Sequence, residues 1–333
     1  MALVTKIRRL RIRDFDYSRI IAISPHPDDS VLGCGGLLHK MTVNPNVQRI
    51  SVFVMTPGYH GVDSRFFEQS KESAQMDLER WLEISISDLQ NTKDLIDAVR
   101  ARLDNVFDVF GRPGDSDELK LENILKTAIR FGESYRDAEV LGLKPASCLH
   151  FLAFPQLYSR RITPEELTRL RDEFNAVADK QGKNLVLVPH PEDRQPAHQI
   201  ATEVALRALD PQIRWHIWYY QSPWYGISPE AIDVVVSLND AELHLKRAAA
   251  ETHRSQTART PYGEIVSVVG SLNADVLPEL VLGFGTKQPY ALGKYCELFQ
   301  IRLRGFYADE AQDTGLLLYS DDHLAIDDDP DSG

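Results

Sequence analysis

Cysteine is scarce in this 333-residue chain, which carries only Cys34, Cys148 and Cys296. Three scattered cysteines exclude a disulfide framework and a CxxC metal knuckle, so a reducing, cytoplasmic setting is expected. Excess positive charge is also lacking. Lys and Arg number 37 against 49 Asp and Glu, a formal net charge of −12. That balance argues against a broad nucleic-acid face, because phosphate backbones attract the opposite sign, but it leaves room for a local basic pocket. No apolar run is long enough to span a bilayer. The opening "MALVTKIRRLRIRDF" is basic without an apolar run behind it, so no secretory signal is expected. Repeats and low-complexity tracts are missing as well. What remains is ordinary globular composition, 43% hydrophobic and 26% charged, in a chain long enough for one large domain or two modest ones.

The apolar pattern alternates between strand and helix. "RIIAIS" (19–24) reads as a buried strand, "VLGCGGLLHKM" (31–41) as a helix with a glycine-rich start, and "RISVFVMT" (49–56) as a second buried strand. Residues 62–128 break this rhythm and read as a helical insertion, with Phe66, Phe67, Trp81 and Phe107 suited either to a lid over a crevice or to contacts between copies of the chain in a homo-oligomer. The pattern then predicts a helix over 125–143 and a strand over 147–154. A helix follows with Thr163 as N-cap and Pro164 at its first position. Strands over 184–188, 214–220 and 231–238 and helices over 197–209 and 239–253 complete the series. The acidic stretch 311–333 is expected to be a solvated, mobile tail behind a single domain over 1–310. Alternating β and α elements imply an α/β, doubly wound, mostly parallel Rossmann-like sheet, with ligands at the carboxyl ends of the strands.

"SPHPDDSVLGCGG" (24–36) stands at one such strand end, and a near copy, "VPHPED" (188–193), stands at another. His26 and Asp29 offer an imidazole and a carboxylate three residues apart, a donor mixture that suits Zn²⁺. His198, entering a helix just after another strand, is the natural third ligand. Asp28 is then left beside the ion, placed to take a proton from water. The residues alone leave a plainer alternative open, in which the aspartates cap a helix and close a turn. His190 and Asp193 repeat the spacing of His26 and Asp29, which raises a two-metal phosphoesterase as a rival reading.

Several segments, taken in order, resemble the LmbE-like, PIG-L-like zinc-dependent N-deacetylases. They are the His-Pro-Asp-Asp motif with its glycine-rich helix start, "VMTPG" (54–58), "RFGESYRDAEVLGL" (130–143), "HPEDRQPAHQIA" (190–201), "KRAAAETHRSQ" (246–256) and "KYCELF" (294–299). The resemblance implies removal of an N-acetyl group from an N-acetylglucosamine-type amino sugar or its conjugate. It implies His26, Asp29 and His198 as zinc ligands, Asp28 as general base and Arg130 as a substrate contact. The chain departs from the pattern at Ser30, where glutamate is usual, at Gln195 in place of a histidine, and at Ala197 in place of an aspartate. Gln195 donates hydrogen bonds to an oxyanion but transfers no proton. His253 is therefore expected to compensate, with His190 as the other candidate near the substrate. A catalytically impaired sugar-binding protein is the remaining alternative.

Overall fold

The computed structural model describes residues 7–70, 76–77, 79–80, 110, 115–154, 162–257, 259–282, 294–302 and 316–320. Its strands are β1 (Ile7–Arg11), β2 (Arg19–Ser24), β3 (Arg49–Val54), β4 (Leu149–Phe151), β5 (Asn184–Pro189), β6 (Trp215–Tyr220), β7 (Val234–Leu238), β8 (Tyr295–Ile301) and β9 (Leu316–Ser320). Its helices are α1 (Asp29–Met41), α2 (Ser64–Gln69), α3 (Asp117–Val140), α4 (Pro145–Cys148), α5 (Pro164–Val177), α6 (Pro196–Ala208), α7 (Asp240–Glu251), α8 (Arg254–Thr257) and α9 (Tyr262–Leu282).

The strands form one sheet in the order β1-β9-β7-β8-β6-β5-β2-β3-β4, parallel except where β8 pairs with β6 and β7. The doubly wound, mostly parallel sheet expected from the sequence is thus present. From β2 the chain builds outward through β3 and β4, then returns to β5 on the other side of β2. The order reverses between β2 and β5, and such switch points hold ligands at the strand carboxyl ends.

Alternate residues of the central strands feed two cores. Ile20 and Ala22 of β2, with Leu185 and Leu187 of β5, face the core built with Val31, Leu37, Leu38 and Met41 of α1 and Ala249 and Ala250 of α7. Ile21 and Ile23, with Val186 and Val188, face the opposite core, with Leu170 and Phe174 of α5 and Ala201 and Val204 of α6. Burial on both faces is why these strands read as continuous apolar runs. Each fully buried Ile, Leu or Val contributes about 1.5–3 kcal/mol.

Helix α5 starts as expected, with a capping box in which Glu166 N–H donates to Thr163 Oγ1 and Thr163 N–H donates to the Glu166 carboxylate. Two boundaries move. Most of the interval 71–114, with Trp81 and Phe107, lies outside the described residues. The insertion's expected end at 128, however, falls inside α3, which runs from Asp117 as one helix capped by Ser116. Ser116 accepts from Leu119 N–H, and Asp117 and Glu118 favour the helix start. The domain boundary drawn at 310 also shifts, because β9 joins the sheet beside β1 and β7. The run Leu316-Leu317-Leu318-Tyr319 has a strand's composition, unlike the acidic residues after it. Residues 321–333 lie outside the described residues.

Candidate metal centre

Both His-Pro loops leave the carboxyl ends of the adjacent strands β2 and β5, at the switch point of the sheet. The first is tied down by Ser24 at the end of β2, whose Oγ donates to the His26 carbonyl (2.6 Å) and accepts from Ser30 N–H (2.9 Å). The chain then turns directly into α1. Asp28 occupies the N-cap position but makes no side-chain cap bond, so the plain helix-cap reading does not describe it.

One donor atom from each of His26, Asp29 and His198 lies within 4.8 Å of the others. Asp29 Oδ2 sits between the two imidazoles, 3.0 Å from His26 Nδ1 and 3.1 Å from His198 Nε2. Donors around a tetrahedral zinc with bonds of about 2.0–2.1 Å stand about 3.3 Å apart, so the set fits such an ion with small adjustments. His198 side chain is 1% exposed and His26 27%, which leaves the His26 side of the site open. His198 presents Nε2 to the site because its Nδ1 meets the fully buried Asp193 at 2.9 Å. A carboxylate on the far nitrogen fixes tautomer and ring orientation in metal sites. Burial opposes charge on His198, but Asp29 and Asp193 outweigh it and push its pKa up to about 10. Burial likewise acts to raise Asp29, and His198 and His26 overcome it to hold the carboxyl well below its ordinary range. A proton and a metal ion compete for the same His198 nitrogen.

Asp28 stands beside the triad with both oxygens engaged. Oδ1 accepts from Arg130 Nη2 at 2.7 Å, and Oδ2 accepts from the Tyr262 hydroxyl at 2.6 Å. Burial acts to raise its pKa, but Arg130 outweighs it and keeps the carboxyl below its usual value. Arg130 is 2% exposed and spends its other terminal nitrogen on Glu133 (3.2 Å) and Ser255 (3.4 Å). Among the described residues its Nε has no hydrogen-bond partner. His253 lies deeper and is fully buried, with Nε2 on Asp137 at 2.7 Å. Burial raises Asp137 to about 6, whereas His253, despite its own burial, is carried up to about 9 by Asp137 and Glu133.

The second loop is arranged differently. His190 Nε2 meets Gln300 at 2.6 Å, and its ring stacks on Tyr225 at 4.6 Å between centroids. His190 and Asp193 therefore point to separate partners, and among the described residues the one His/Asp group with metal-site spacing is His26, Asp29 and His198. Gln195 stands exposed at the N-cap of α6, with its backbone N–H on Asp193 Oδ1.

The sequence did not single out the orienting part of Asp193 or the Tyr262 contact, and it marked Glu297 only as part of the "KYCELF" segment, without a role. Only an Asp five residues before His198 signalled the first. Glu297 reaches from β8 to accept from Gly36 and Leu37 N–H, each at 2.7 Å, and from Lys246 Nζ at 2.6 Å. Cys34 departs from helical geometry, so these N–H groups open a second helix start inside α1, and a carboxylate satisfies them. The glycines of this helix admit the close approach of the protein's own side chains. A Cβ at Gly36 would lie 2.6 Å from Leu238 and 2.9 Å from Glu297, and one at Gly33 would lie 2.3 Å from Tyr220.

No helix among the described residues is long and apolar enough to cross a membrane. The chain is 24% identical over 258 residues to a glucosamine-6-phosphate deaminase-like protein of Bacteroides thetaiotaomicron, covering 73% of this chain and 36% of that protein. It thus spans about a third of that relative's length. An N,N'-diacetylchitobiose deacetylase from Pyrococcus horikoshii is 18% identical, with 87% of this chain and 88% of that one covered at a TM-score of 0.49. A conserved protein of Thermus thermophilus is 18% identical, with 85% and 94% covered at a TM-score of 0.48. The family profile described as PIG-L: GlcNAc-PI de-N-acetylase matches residues 21–209, which hold the Asp28 carboxylate, Arg130 and all three donors of the triad. With more than half its length inside that match, the chain belongs to the PIG-L family.

Proposed function

We propose that this chain is a zinc-dependent hydrolase that removes the N-acetyl group from an N-acetylglucosamine-type amino sugar or its conjugate. The observation that carries the reading is the juxtaposition of a His-Asp-His donor set with a second, ionised carboxylate at the switch point of the sheet. His26, Asp29 and His198 would hold the ion. When bound, a divalent ion of this kind supplies Lewis acidity, polarising a carbonyl and making water a better nucleophile.

The chain's own groups supply the proton chemistry and the orientation. Each oxygen of Asp28 accepts one bond, which leaves lone pairs for a proton from the attacking water. Its depressed pKa keeps it ionised at neutral pH, ready to accept. His253 is committed to Asp137, and His190 to Gln300 and Tyr225. That leaves Asp28 as the group placed to pass a proton on to the leaving amine. Gln195, at the start of α6, has amide N–H groups to offer a developing oxyanion.

Acetate release from N-acetylglucosamine conjugates tests the reading. The expected result is release that stops on chelation and returns with zinc. Asp28→Asn should keep the metal and lose about 10²–10⁴-fold in turnover, the usual range for a general base. Sugar binding by a zinc-loaded chain without acetate release would instead establish a binding protein.

A further inference from the structure

We infer that Asp28 is held by a two-sided clamp in which Tyr262 and Glu133 are positioning residues. The inference rests on the reading of Asp28 as the general base.

Tyr262 lies outside the residues matched by the family profile. It stands at the start of α9, is 6% exposed, and belongs to the core cluster on the α1 side of the sheet. Core packing therefore sets the position of its ring. Its hydroxyl donates to Asp28 Oδ2 at 2.6 Å, across 234 residues of sequence. Burial first, and the charge of Asp28 next, raise the phenol pKa, so the hydroxyl remains a donor.

The other side of the clamp starts from Glu133, a fully buried residue one helical turn after Arg130. Glu133 Oε2 accepts from Arg130 Nη1 at 3.2 Å and from Ser255 Oγ at 2.7 Å, and Oε1 accepts from Ser255 N–H at 2.7 Å. Arg130 is thereby fixed from behind and presents Nη2 to Asp28 Oδ1 at 2.7 Å.

The terminal torsion of an aspartate is broad, so a carboxylate held at one oxygen can pivot. Donors on both oxygens, from α3 on one side and α9 on the other, remove that freedom. Asp29, the next residue, is a triad member. A pivoting Asp28 would present its lone pairs away from the attacking water without disturbing the metal ligands.

The test compares steady-state kinetics and metal content of the zinc-loaded chain with those of Tyr262→Phe and Glu133→Gln. Tyr262→Phe should lower kcat by about 10–100-fold, the usual cost of losing a supporting contact. KM should stay within about twofold, because binding is spared when only a transition-state interaction is lost. Metal content should stay at one ion per chain. Glu133→Gln, which keeps the side-chain shape, should give the same split with a smaller loss. Tyr262→Phe should add nothing to Asp28→Asn, since it acts through that carboxylate. A kcat unchanged in both single variants would overturn the inference, as would a loss matched by loss of metal, or full additivity with Asp28→Asn. Wild-type turnover in Asp28→Asn would overturn the base reading and the clamp together. Wild-type turnover in Tyr262→Phe with Asp28→Asn inactive would overturn the clamp alone. If Tyr262→Phe does not fold, Glu133→Gln decides by the same readouts.

Discussion

Residues 25–29 and 189–193 are nearly the same sequence, Pro-His-Pro-Asp-Asp and Pro-His-Pro-Glu-Asp, and they leave the paired parallel strands β2 and β5. Each closes with the same turn. Asp29 N–H donates to the His26 carbonyl at 3.3 Å, and Asp193 N–H to the His190 carbonyl at 3.0 Å. Their side chains nevertheless take different roles. In the first loop the histidine and the final aspartate face each other at the triad. In the second the histidine lies under Tyr225 and the aspartate turns to His198. The fourth residues diverge too. Asp28 is buried and held by Arg130 and Tyr262, whereas Glu192 is exposed and takes the Tyr225 hydroxyl. Spacing sets the turn, and the neighbours set the role. Helix α1 begins at Asp29 itself, but Arg194 and Gln195 separate Asp193 from α6, so the Asp193 carboxylate reaches forward into the first turn of that helix.

The largest expected effect breaks the first loop. His26→Ala should reduce bound zinc from one ion per chain to background and abolish acetate release, because two remaining protein ligands are too few for a catalytic site. Elemental analysis after dialysis checks this. Full zinc occupancy in the variant would remove His26 from the ligand set.

A smaller effect is expected from the second loop's aspartate. Asp193→Asn keeps the shape but weakens the grip on His198 Nδ1, and should cost about 10–100-fold in metal affinity. Competition with a chromophoric chelator measures it. An unchanged affinity would mean that packing alone orients His198.

The strands and helices that make these loops were legible because local pattern encodes them. Apolar runs gave β2, β3 and β5, and Thr163-Pro164 gave the start of α5. The triad could be read because two donors share one turn and the third begins a helix beside the next strand. The remainder depends on contacts distant in sequence. The Tyr262 bond to Asp28 spans 234 residues, and the Glu297 bonds to α1 span 261 and 260. Strand β8 slips between β6 and β7 against the parallel run, and nothing in "YCELFQI" announces a direction. His253 was expected at the reacting groups. A histidine motif on a helix does not reveal that its ring is enclosed among Asp137 and Glu133.

That enclosed pair has its own signature, which separates it from the carboxylate-bound His198. His253 has a folded pKa of about 9 against an ordinary 6.5. A raised folded value gives stability that is fully present below pH 6.5 and is lost as pH rises through about 9. The raised Asp137 acts in the same direction at lower pH. Urea unfolding between pH 6 and 9.5 should therefore show wild type losing stability faster than His253→Gln. Parallel profiles would show that His253 is neutral in the fold.

The smallest effect on metal and turnover is expected at His190, and it sharpens the comparison most directly. If the two loops were equivalent, His190→Ala would strip an ion as His26→Ala does. The geometry assigns His190 a bond to Gln300 and a stack on Tyr225 instead. Losing one hydrogen bond costs about 0.5–1.5 kcal/mol, and losing an aromatic pair about as much again. His190→Ala should thus lower stability by about 1–3 kcal/mol in a denaturant titration while retaining one zinc per chain and kcat near wild type. A fall from two ions to one would make the second loop a metal site in its own right and would return the two-metal phosphoesterase to contention. A fall in kcat with one ion retained would place His190 in contact with the substrate, the part the family resemblance left open for it.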